Sequence, residues 1–146
     1  MLLNCECLDA HKDEIKMKIS GTFKVEMQPQ EASFMGKEGV AVTRMSLLKT
    51  FEGELSGHSK GEMLSVVTSV PGSAGYVAIE QVTGVLSGKA GSFVLQHSGL
   101  MNRGDATLDL NVVPDSGCDE LKGLCGTMTI RIEKGLHCYD FEYALM

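Results

Sequence analysis

Apolar and polar side chains alternate along most of this chain. From Lys16 to Gln28, Met17, Ile19, Phe23, Val25 and Met27 alternate with Lys16, Lys18, Lys24, Glu26 and Gln28. A period of two sustained over that length marks a strand with one buried face. Pro29 ends the run, and the polar stretch 30–39, with two glycines, reads as a loop. The same pattern predicts strands over 40–55 and 59–70, with a turn at Ser56-Gly57-His58 between them. Pro71-Gly72 ends the third strand. The stretch 72–104 then carries the clearest hairpin signature: one alternating run ends near Leu86, Ser87-Gly88-Lys89 turns, and a second run spans Ala90 to Leu100. Asn102-Arg103-Gly104 turns the chain into a sixth strand at 105–113. Pro114-Asp115-Ser116-Gly117-Cys118 is a loop, and Glu120 to Leu124 carries the chain back toward the sheet. The last two strands, 125–133 and 137–145, flank a tight turn at Lys134-Gly135.

Eight strands with almost no helix predict an all-β fold. Short connections favour an eight-stranded antiparallel up-and-down barrel, since closure removes both exposed edges. An eight-stranded barrel can hold one small ligand or fill itself with side chains. An internal echo supports the parse: Phe51-Glu52-Gly53-Glu54-Leu55-Ser56-Gly57 is matched by Val82-Thr83-Gly84-Val85-Leu86-Ser87-Gly88. In a closed sheet such glycines relieve crowding at bends and bulges.

The 146 residues suffice for one domain with its own core, here assigned to 16–146 behind a loose leader at 1–15 with a short helical turn near Asp9–Glu14. A net charge of −6, with no run of basic residues, offers no broad footprint for nucleic acid or for an anionic membrane. No apolar run has the length of a membrane span, and the first residues lack the pattern of a signal peptide, so a cytoplasmic location is expected. Cys5, Cys7, Cys118, Cys125 and Cys138 form no Cys-x-x-Cys pair, and the four histidines are far apart. Free thiols in a reduced compartment are expected, with no cofactor and no metal.

Candidate chemistry sits in the hairpin. Tyr76, Ala78, Glu80, Val82 and Leu86 share one face, and Phe93, Leu95, His97 and Gly99 share the facing one. Glu80 and His97 interrupt apolar stripes, where a charge is costly unless paired or wet. Adjacent strands bring them within reach of each other, a pairing that would hold the imidazole tautomer, with Tyr76 supplying a hydroxyl. These three are the candidate catalytic residues. Arg103 and Asn102, at a barrel rim, with Phe93 and Leu95 on the wall, are the candidate ligand-binding residues; Arg103 would clamp a carboxylate. The strand at 59–70 is apolar on both faces, and Val77, Ile79 and Val85 lie opposite the Tyr76 stripe. A monomeric barrel needs one apolar face per strand, so a homo-oligomer is expected.

Longer motifs carry a resemblance. Lys60-Gly61-Glu62-Met63-Leu64, Gly72 to Glu80, Gly91 to Gly99, Met101-Asn102-Arg103-Gly104, Val113 to Gly117, Leu124 to Ile132 and His137 to Tyr143 resemble a bacterial family of unknown function, numbered 3224. The likeness spans about residues 19–143. It implies a calycin-like barrel of the plant allene oxide cyclase type and brings no established activity. Allene oxide cyclases hold a fatty-acid epoxide in the barrel, with a glutamate and a polar group that binds an ordered water. Glu80 compares with that glutamate by strand position only, and no catalytic motif aligns. Family members typically carry other residues at Cys118, Cys125 and Cys138, which argues against a shared cysteine chemistry.

Three functional readings follow. The first is a barrel that binds a small apolar or amphipathic ligand, with a carboxylate held by Arg103. The second is a cyclase- or isomerase-like enzyme using Glu80 and His97. The third is a self-filled barrel with a structural or interaction role. The discriminating feature is the interior: an open pocket with Glu80 and His97 on its wall favours the first two readings, and a packed one favours the third.

Overall fold

The computed structural model describes residues 16–145. Successive strands are β1 (Met17–Gln30), β2 (Ala41–Gly53), β3 (Leu55–Val67), β4 (Ala74–Leu86), β5 (Lys89–Asn102), β6 (Asp105–Val112), a two-residue β7 (Cys118–Asp119), β8 (Leu124–Glu133) and β9 (Leu136–Leu145). Each long strand pairs antiparallel with its neighbours in sequence, β7 being bypassed; β1 pairs with β9 and β4 with β5, so the sheet closes. The result is the predicted all-β, eight-stranded up-and-down barrel of the calycin and allene oxide cyclase type. The proposed leader at 1–15, with its helical turn, lies outside the described residues.

The hairpin turns follow from local backbone chemistry. Ser87-Gly88, Arg103-Gly104 and Lys134-Gly135 each place both residues at positive φ, the conformation of the two-residue turn that matches strand twist. The expected turn at Ser56-Gly57-His58 is not one. The chain reverses earlier, at Gly53-Glu54, where Gly53 adopts φ 117°, a value that favours glycine. Consequently β2 ends at Gly53 rather than at 55, and β3 runs Leu55–Val67 rather than 59–70. The two halves of the sequence echo therefore differ: the second contains its turn at Ser87-Gly88, while the first turns earlier in the repeat.

The barrel interior has two unlike halves. Around the end where β2 meets β3 and β4 meets β5, the inward residues form a dense core that includes Phe23, Phe51, Leu55, Phe93, Tyr139 and Phe141. The loop between β6 and β8, read from sequence only as a connection, caps this end: Leu121 is wholly buried and β7 adds a short ladder to β5 at Gly91 and Ser92. At the opposite end, beyond the middle of β4 and β5, the interior is open. The seam between β6 and β8 is thin, with one ladder pair, Asn111 to Thr127.

Candidate functional site

Between the filled half and the open half lies a layer of polar side chains. Lys49 shares the inner face of β2 with Leu47 and Phe51 and sits opposite Ser59 of β3. Glu80 of β4 stands opposite Gly61 of β3 and Leu95 of β5. His97 of β5 faces Ala78. Four consecutive strands thus point a cation, a hydroxyl, a carboxylate and an imidazole at one another. All four are buried: Glu80 is 0%, Ser59 2%, His97 3% and Lys49 7% exposed.

The carboxylate is the hub. Its Oε2 accepts from Lys49 Nζ at 2.8 Å and lies 2.6 Å from His97 Nε2. Its Oε1 accepts from Ser59 Oγ at 2.9 Å. The other ring nitrogen, His97 Nδ1, lies 3.3 Å from the Tyr76 hydroxyl. Among the described residues, no buried side-chain nitrogen or oxygen lacks a partner. Burial by itself would raise the Glu80 carboxyl; the hydrogen bond from His97, with the charge and hydrogen bond of Lys49, outweighs it and lowers the group from 4.5 to about 2. Burial raises the Tyr76 phenol above its ordinary 10.0, and the Glu80 charge adds to the rise. The ammonium of Lys49 also lies 4.8 Å from the Phe23 ring centroid, a cation–π contact.

Two glycines make room for this layer. A Cβ on Gly61 would lie 2.2 Å from the Ile79 carbonyl oxygen and 2.8 Å from Glu80 Cα. One on Gly99 would lie 2.3 Å from Tyr76 Cε1, so the phenol ring rests directly over that backbone.

Above Tyr76 the open half forms a mouth of about 660 Å³, its walls including Met63, Val67, Met101, Leu108, Ile130 and Ile132. No residue lining it is charged. Of the candidate catalytic residues, Tyr76 lines this mouth, while His97 and Glu80 lie beneath it. Phe93 and Leu95 belong to the filled half, 1% and 0% exposed, with Phe93 stacked on Phe141 at 6.0 Å; neither lines the mouth. Asn102 and Arg103 are exposed at the β5–β6 turn on the open end. The Arg103 amide donates to Ser73 Oγ at 3.1 Å, which ties that turn to the β3–β4 loop. A second depression of about 670 Å³ lies over the outer wall, where Arg44 and Glu62 form an ion pair at 2.6 Å beside Val77 and Ile79.

Lys49 and Ser59 are the site members that the sequence reading leaves unmarked. The signal for Lys49 is present, since it interrupts the stripe of Met45, Leu47 and Phe51 as Glu80 interrupts that of Tyr76. Ser59 is hidden by the misplaced turn, which puts it at the start of a strand instead of well inside one. Among the described residues, no group of three histidine, cysteine, aspartate or glutamate side chains is placed to hold a metal ion.

This barrel has a specific likeness. The model of a family described as "Protein of unknown function (DUF3224)" matches residues 19–143. The chain belongs to this DUF3224 family. A crystal structure of a DUF3224 protein of unknown function from Shewanella oneidensis MR-1 is 54% identical, covers 90% of this chain and 98% of that one, and superposes with a TM-score of 0.89. No curated protein matches the chain. In this DUF3224 barrel, a buried charged layer beneath an apolar opening is consistent with binding a small molecule.

Proposed function

We propose that this protein binds a small, largely apolar molecule in the open half of its barrel. The observation that carries the reading is the mouth itself: an uncharged volume of about 660 Å³, walled by aliphatic side chains and floored by the Tyr76 phenol. Binding sites for small molecules commonly span ~300–1,000 Å³, apolar with a few placed polar groups. A self-filled barrel would have no such opening, and only the capped half is filled in that way. An enzyme whose Glu80 touches its ligand has less support, because all of that carboxylate's polar contacts lie within the protein and Tyr76 stands between it and the mouth.

The test uses Nile red, an uncharged dye that brightens in apolar surroundings, displaced by decanol. Binding is expected for the native protein. Leu108→Arg, which puts a charge on the mouth wall at a position already 37% exposed, is expected to abolish it. Ile79→Arg, on the outer wall, is expected to leave it unchanged. Equal binding by native protein and Leu108→Arg would refute the reading.

A further inference from the structure

We infer that the ligand presents a hydrogen-bond donor, a hydroxyl or N–H, to Tyr76, and that carboxylates are not its class. This rests on the mouth being the binding site and adds the polarity of its floor.

The hydrogens can be placed from the buried end outward. An ionised carboxylate can only accept. Lys49, 2.8 Å from Glu80 Oε2, supplies the matching positive charge. The 2.6 Å contact between Glu80 Oε2 and His97 Nε2 therefore places a hydrogen on Nε2. In a neutral imidazole with a hydrogen on Nε2, Nδ1 is a bare acceptor. Tyr76, whose hydroxyl is 3.3 Å from Nδ1, must then be the donor. Its single hydrogen is directed down into the protein, and the oxygen turns lone pairs toward the mouth.

A charged imidazole would reverse this order, since Nδ1–H would donate to Tyr76 and release the phenol hydrogen to the ligand. That state would set two cations, Lys49 and His97, against one carboxylate in a layer no more than 7% exposed. An excess buried charge is costly, and a single ring hydrogen, on Nε2, satisfies the carboxylate without one. The walls agree with this polarity: no residue lining the mouth is charged, and Arg103 is not among them. A carboxylate entering the mouth would lose water and gain no cation. Ser65, opposite Tyr76 in the ladder, has a hydroxyl that serves either sense, so the phenol has to be isolated by substitution.

The experiment compares decanol, decyl methyl ether and decanoate, three probes of similar length, by calorimetric titration at pH 8. Decanol alone can donate. The native protein is expected to bind it about tenfold more tightly than the ether, the worth of one hydrogen bond, and to bind decanoate most weakly. Tyr76→Phe keeps the ring over Gly99 and removes the acceptor; it is expected to erase the preference for decanol over the ether. Ether or decanoate binding as tightly as decanol would overturn the assigned polarity while leaving the mouth as the site. A decanol preference that persists in Tyr76→Phe would overturn it as well, by moving the contact to another group. Failure of all three probes to bind would remove both the polarity and the binding reading beneath it.

Discussion

Lys49 is an ammonium in a barrel interior, ion-paired to Glu80 at 2.8 Å. Removing one member of a buried pair leaves the other uncompensated, at a cost of about 3–5 kcal/mol. Glu80→Gln is therefore expected to lower stability by about 3 kcal/mol, read as a shift in the urea midpoint. Lys49→Met combined with Glu80→Gln is expected to recover most of that loss; a double variant no better than Glu80→Gln would show that the pair is not the cause. The same hub sets an acid dependence. The folded carboxyl titrates at about 2, below its ordinary 4.5. Its contribution is complete above pH 4.5 and is lost as the pH falls toward 2, because the unfolded chain takes up the proton first. That window corresponds to about 3 kcal/mol, and the urea midpoint of the native protein is expected to fall through it more steeply than that of Glu80→Gln. The period of two was enough to put Tyr76, Glu80 and His97 on inward faces. Their connection through Lys49 and Ser59 depends on the β2–β3 register, which alternation within single strands does not encode.

At the level of the strands, register is what the sequence conceals. Glycines at 53 and 57 look alike in the chain, yet Gly53 makes a turn at φ 117° while Gly57 lies inside β3 opposite Gly84. Only the three-dimensional closeness of β3 and β4 distinguishes them. The short β7 and the plug residue Leu121 were equally illegible, because one apolar side chain in a polar loop has no period to reveal it. Close approach has a measurable consequence at Gly61. Ala at this position has to displace the Ile79 carbonyl or the Glu80 backbone, so Gly61→Ala is expected to cost about 1–3 kcal/mol. Gly88, at φ 87°, is the control, since a Cβ added there would meet nothing within 4 Å. Asparagine tolerates the left-handed region, so Gly88→Asn is expected to be nearly neutral in thermal unfolding. Equal losses from the two substitutions would discount crowding as the reason for Gly61.

Across the whole molecule, apolar surface remains on the outside of the wall. Val77, Ile79 and Val85 are 54%, 50% and 42% exposed on the outer face of β4. This surface supports the expectation of a homo-oligomer. Light scattering at micromolar concentration is expected to give a multiple of the chain mass, and Ile79→Arg to reduce it to that of one chain; a native protein already at the mass of one chain would end the expectation. The closure of the barrel has a different kind of consequence. Met17 pairs with Tyr143, so the two ends of the sheet are ladder neighbours. A short peptide joining the ends, with a new opening at Ser87-Gly88, would give a circular permutant in which every long ladder keeps its register. The order in which the ribosome delivers the strands would change, and the finished ring would not.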